Sequence, residues 1–197
     1  SESQSEQETE TEAKPSELSP TILTDSDFPR LENEIARKSL SLFRRGVSLA
    51  LKYESIANRI LSPEDMAEDS NWESKIDSNI YQGKIYENGK YVVHLYLSEI
   101  SDDAVAQFAD EVYQYDTTDF SPYAAKGNLE NIKNYRFYKE SGIYDDYLCC
   151  VSNSFSVYAN AEDIERYAKY KEVVSIKSAD GLLESWEDSP QATHGNP

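Results

Sequence analysis

His194 falls in a polar terminal stretch, so His94 is the imidazole around which acid–base or nucleophilic chemistry would be built. The matching nucleophile would be a thiol, and the two cysteines, Cys149 and Cys150, are adjacent in a short apolar run. A Cys–His or Ser–His site needs the base within hydrogen-bond reach of the nucleophile and a third group to orient it. No local signature of such a site is present, and His94 also reads as a half-buried strand histidine opposite Gly83, satisfied by a hydroxyl or carboxylate. Neighbours on a strand point to opposite faces, and bridging them closes a strained ring, so Cys149 and Cys150 are expected as free thiols. That leaves the redox compartment open. With one usable histidine, zinc is not expected.

Acidic residues number 37, enough to make chance carboxylate pairs unavoidable. Asp102-Asp103, Asp145-Asp146 and the 116–119 loop follow no calcium-ligand spacing and read as solvated. Walker A, GxGxxG, HExxH, CxxC, G-x-S-x-G and EF-hand patterns do not occur. The reading therefore assigns no catalytic residue, no metal and no cofactor.

Charge is more informative. The net −18 argues against nucleic acid as a partner, because nothing would offset phosphate repulsion. Residues 31–61 run against this trend, with Arg37, Lys38, Arg44, Arg45, Lys52 and Arg59 set against three acids, a net +3. The segment has helical periodicity, with Ile35, Leu42, Gly46, Leu49, Tyr53, Ala57 and Ile60 as its expected apolar stripe. Arg37, Arg44, Arg45, Lys52 and Arg59 fall on the opposite side. They are either a contact for an anionic surface or side chains neutralised by the acidic remainder of the chain. Tyrosine, with 15 residues, supplies rigid contact area with a polar tip. The face carrying Tyr81, Tyr96 and His94, or the one carrying Tyr86 and Tyr91, is the expected recognition surface, unless these are ordinary half-exposed strand residues.

The chain opens SESQSEQETETEAKPSELSP, and residues 1–30 hold eight acids against two bases. Such a stretch cannot bury enough surface to offset its ordering entropy, so 1–30 is expected to be disordered. Its composition resembles the tether that follows the lipid-modified cysteine of Gram-positive surface lipoproteins. That resemblance implies an extracytoplasmic, membrane-anchored location, with membrane contact only through a lipid anchor outside this chain. A generic acidic tail, or one phosphorylated at serines in an intracellular regulatory protein, is the alternative. The start at Ser1 reads as that of a processed or trimmed chain, and no run of 18 apolar residues is present.

Further along, Ser62-Pro63 opens one or two short helical pieces over 63–77. Residues 80–86 and 91–97 flank Asn88-Gly89, the preferred dipeptide of a type I′ hairpin, which sets Tyr86 against Tyr91 and Gly83 against His94. Ser101 caps a helix over 102–115. A loop is expected over 116–131, strands at 135–139, 147–152 and 154–158, and a helix after Asn160. An edge strand at 173–176, a helical turn near 182–186 and a disordered tail over 187–197 follow.

These elements give one α+β domain over 31–186, N-terminal helices packed on a curved antiparallel sheet, in the order α(α)ββαβββα. The order is similar to that of the cone-shaped nuclear transport factor 2 superfamily. That likeness implies a pocket between helices and sheet, binding a small ligand or using His94 with a carboxylate. The reading preferred here is a non-enzymatic extracytoplasmic binding or accessory domain, tethered as a lipoprotein. Its partner would be a protein, peptide, glycan or anionic surface.

Overall fold

The computed structural model describes Leu18 and residues 21–187. Four of its helices start where the sequence supplies a side-chain oxygen for an amide that has no partner inside the helix. Asn33 accepts from the Ala36 amide at the start of α1 (Glu34–Ala50), and a tight turn at Leu51–Tyr53 leads into α2 (Glu54–Ile60). Ser101 accepts from Ala104 at α3 (Asp102–Tyr115), and Ser121 from Ala124 at α4 (Pro122–Ser141). Asn160 and Asp163 cap each other at α5 (Ala161–Ala168). The last helix is α6 (Asp180–Glu187).

Strands β1 (Tyr91–Leu97), β2 (Tyr147–Val151), β3 (Ser154–Ala159) and β4 (Val173–Ser178) form one antiparallel sheet in the order β2-β3-β1-β4. The α+β class and the antiparallel sheet stand as read from the sequence. In register, Val93 faces Val157 and Leu95 faces Phe155. Phe155 meets Phe43 of α1 at 5.8 Å and Phe137 of α4 at 5.6 Å between ring centroids, so this face of the sheet packs on those two helices. A second, all-helical core joins Tyr53, Ile56 and Ala57 to Phe108, Val112, Leu129 and Ile132. Helix α4 runs through both cores: Ala125, Leu129 and Ile132 belong to the helical one, and Tyr135, Phe137 and Tyr138 to the sheet.

Several expectations are corrected. The first hairpin does not form. Asn88 and Gly89 do take the left-handed conformation, at φ 64° and 68°, but Tyr86 pairs with Lys90 rather than Tyr91, and the ladder stops there. Residues 78–82 are a tight helical turn instead. Gly83 lies so close to α6 that a Cβ on it would sit 2.3 Å from the Asp180 carboxylate. Both edges of β1 are taken by β3 and β4, so no edge remains for 80–86.

The loop at 116–131 and the strand at 135–139 are likewise replaced by α4. Its boundary signals are present in Ser121-Pro122 and in Gly142, which takes φ 69°. No amphipathic stripe marks it, because Ile132, Lys133, Asn134, Tyr135, Phe137 and Tyr138 are all buried. On α1 the buried stripe is Ala36, Leu40, Phe43, Val47 and Ala50, while Leu42 and Leu49 are 65% and 71% exposed. The short helices expected over 63–77 occur as tight turns at Pro63–Met66 and Trp72–Lys75.

The disordered stretch expected over 1–30 is also too long. Asp25–Asp27 form a helical turn, and Phe28 is buried, stacked on Tyr138 at 5.5 Å and on Tyr135 at 6.0 Å. The remainder of that expectation, and most of the tail expected over 187–197, lies outside the described residues. Replacing Phe28 with Ala is expected to lower the unfolding free energy by about 3–5 kcal/mol in urea denaturation. Ile22→Ala, at a side chain 84% exposed, should stay within about 0.5 kcal/mol of the parent. Equal, small effects at both positions would show that this segment is not part of the core.

Candidate functional site

A cleft of about 580 Å³ opens where the start of α1, the 86–90 turn and the 145–148 segment meet. That volume is in the range that receives a small ligand or a short peptide segment. Asn33, the cap of α1, contributes one side, and Tyr86 and Tyr158 contribute aromatic surface, 5.9 Å apart between centroids. Lys90 reaches across the cleft to an ion pair with Asp146. Glu32, Glu87 and Asp145 then face Arg30, which leaves the lining net negative. Asn88 and Gly89, both at positive φ, turn the chain at the cleft, and Leu31 and Ala36 of its lining are buried in the core.

The residues singled out from sequence do not gather in one place. Arg44 pairs with Asp25 at 3.1 Å, Lys52 with Asp116 at 2.9 Å and Arg59 with Glu111 at 3.3 Å, so three of the five stripe cations are neutralised within the chain. Arg37 lines a separate concavity with Arg30 and Arg44, and Arg45 is exposed elsewhere on α1. The Lys52 ammonium also lies 5.1 Å from the centroid of the Tyr53 ring, and its pKa is raised chiefly by the Asp116 hydrogen bond. Tyr81 sits edge-on to Tyr91 at 5.5 Å, away from the Tyr96–His94 pair with which the expected hairpin would have aligned it.

His94 lies on β1 between Ser156 and Lys177, and its Nδ1 is 2.7 Å from the Ser156 hydroxyl. Partial burial pushes its pKa down. Cys149 pairs with the other side of Ser156, so the strand β3 stands between thiol and imidazole, about 9–10 Å of backbone spacing. The hydrogen bond recorded for the His94 ring is to Ser156 rather than to a thiol. Both cysteines are free thiols, and burial raises their pKa values, the opposite of an activated nucleophile. Among the described residues no group of three or more His, Cys, Asp or Glu side chains is placed to hold a metal ion. No described helix is long and apolar enough to cross a membrane.

A buried charge cluster escaped the sequence reading. Lys133 of α4 and Glu172, just before β4, face each other at 3.6 Å with side chains 3% and 0% exposed. Lys133 Nζ donates to the Ser98 carbonyl and to its hydroxyl, and Arg136, one turn along α4, pairs with Asp65 at 3.3 Å. Neither Glu172 carboxylate oxygen has a hydrogen-bond donor among the described residues. Burial outweighs the pull of Lys133 and Arg136 and lifts the Glu172 pKa from 4.5 to about 7. Burial also lowers that of Lys133. Had α4 been recognised, Lys133 between Leu129 and Phe137 on an apolar face would have signalled this cluster. Glu172, next to a short edge strand, carries no such mark.

The folded-state pKa of Glu172 lies above its ordinary value, so protonation favours the fold. That contribution is complete below about pH 4.5 and is lost as pH rises through about 7. The melting temperature of the parent should therefore fall more between pH 5 and pH 8 than that of Glu172→Gln, by several degrees at about 2–4 °C per kcal/mol. Parallel calorimetric curves for the two proteins would contradict the assignment.

Comparison with known protein families, characterised proteins and solved structures returns no match for this chain.

Proposed function

We propose that this chain is a non-enzymatic binding domain that works outside the cytoplasm, held at a surface by its acidic N-terminal stretch. It takes its ligand in the cleft between the start of α1, the 86–90 turn and the 145–148 segment. The observation that carries this reading is the cleft itself: about 580 Å³, with tyrosine surface and a net negative lining. Tyrosines give contact area at low entropic cost, and their hydroxyls tolerate a polar ligand. The excess of Glu32, Glu87 and Asp145 over Arg30 favours a ligand that is cationic, and a peptide segment bearing Lys or Arg fits both features. The composition of residues 1–20, rich in Glu, Ser, Thr and Gln, supports the tether. His94, bonded to a serine hydroxyl rather than to a carboxylate, gives less support to the small-ligand enzyme alternative.

The binding half of the proposal is tested by titrating isotope-labelled protein with short Lys- and Arg-bearing peptides. Resonances of Glu32, Tyr86, Asn88 and Asp145 should move, and Glu87→Lys with Asp145→Lys should abolish the response. Shifts caused only by neutral oligosaccharides, or shifts mapping away from this cleft, would overturn the peptide reading. For location, trypsin applied to intact source cells should remove the domain, whereas protection until lysis would contradict the surface assignment.

A further inference from the structure

Arg30 borders a second concavity, of about 430 Å³, whose lining also includes Arg37, Arg44, Ser41, Phe28 and Asp25. Three arginine residues thus line one hollow in a chain whose net charge is −18. Arg37 and Arg44 are two turns apart on the same side of α1, about 10 Å along its axis, with Ser41 between them. The guanidinium carbon of Arg44 lies 5.3 Å from the centroid of the Phe28 ring, and that ring is fixed in turn by its stacking on Tyr135 and Tyr138. The position of Arg44 is therefore set by the aromatic core, as a pre-organised site requires.

Among the described residues Asp25 is the one carboxylate in the lining, and it engages Arg44 from a side chain that is fully exposed. Neither Arg30 nor Arg37 is in an ion pair with a described residue. Lys52 and Arg59, further along the stripe, are by contrast neutralised by Asp116 and Glu111.

Guanidinium forks present paired N–H donors that match tetrahedral oxyanions, which ammonium groups do not. Three arginines against one aspartate leave a charge of about +2, complementary to the roughly −1.5 to −2 of a phosphate monoester. An extended polyanion would have to approach the acidic body within the screening length of about 8–10 Å, whereas a single compact group enters the hollow alone. We propose that Arg30, Arg37 and Arg44, with the Ser41 hydroxyl, form a binding site for a phosphate monoester group. The site stands on its own residues and does not depend on the peptide cleft across Arg30.

The test is calorimetric titration of the full chain at low ionic strength with inorganic phosphate and with glycerol 3-phosphate. Alongside it runs co-sedimentation with phosphatidylcholine vesicles containing phosphatidic acid. The parent should bind both soluble probes. Arg37→Ser, at an exposed position, should weaken them about tenfold, the loss expected for one charge-assisted contact, with the thermal melt unchanged. Asp25→Asn removes the internal competitor for Arg44 and should strengthen binding several-fold, a gain that a merely structural role would not produce. Arg45→Ser, on α1 but outside the hollow, should bind as the parent does. Retention on the vesicles that depends on Arg37 assigns the group to a lipid headgroup, and binding of the soluble probes alone assigns it to a free ester. Absence of phosphate binding by the parent, or equal weakening by Arg45→Ser and Arg37→Ser, would overturn the site.

Discussion

The contact on which everything else depends is the ring cluster where α1, α4 and the sheet meet. Phe43 of α1 lies 5.6 Å from Tyr138 of α4, 6.1 Å from Tyr147 of β2 and 5.8 Å from Phe155 of β3. Phe28 closes the group from the N-terminal side. Each buried ring contributes about 1.5–3 kcal/mol by leaving water, with a further 0.5–1.5 kcal/mol from a favourable ring pair. Two regions of the chain far apart in sequence, 28–43 and 138–155, are joined at this point. Because α4 continues from here into the helical core, the two cores are coupled through one rigid element.

The charge pattern follows from that frame. An acidic chain places six of its 19 cations between Arg37 and Arg59, and packing decides which of them are neutralised. Where α3 passes close, Glu111 and Asp116 take Arg59 and Lys52. Where only the 25–30 segment crosses α1, one exposed aspartate answers for three arginines. The same crossing places Arg30 between two clefts of opposite character, one net negative and tyrosine-lined, the other net positive. Buried charge is treated differently. Lys133 is held by the Ser98 oxygens and faces Glu172, and the residual cost of desolvation shows in the raised Glu172 pKa.

Much of the fold was legible in the sequence where local signals decide it. Ser101, Asn160 and the Tyr147–Val151 and Ser154–Ala159 strands lie where caps and β-branched or aromatic runs place them. Elements whose identity is set by tertiary burial were not legible. Helix α4 is rich in Asn and Tyr and buried on most sides, so its period vanishes into a pattern that reads as loop and strand. Asn88-Gly89 makes the turn it prefers, but a turn does not oblige the flanking segments to pair, and β4 took the edge of β1 instead. Of the candidate site, Arg37 and Arg44 were marked by charge periodicity. Arg30 was hidden in a stretch whose composition gives no hint that Phe28 anchors it.

Both clefts draw their walls from α1 and from segments fixed by the ring cluster, so they are preformed only if α4 holds the two cores as one cooperative body. Native-state hydrogen exchange at increasing denaturant measures this directly. Amides of Leu129 and Ile132, in the helical core, and of Phe155 and Val157, in the sheet, should converge on one opening free energy equal to that of global unfolding. Opening of the helical core at a clearly lower free energy, with the sheet still protected, would show that α4 does not weld the molecule and that the clefts are not built on a single rigid frame.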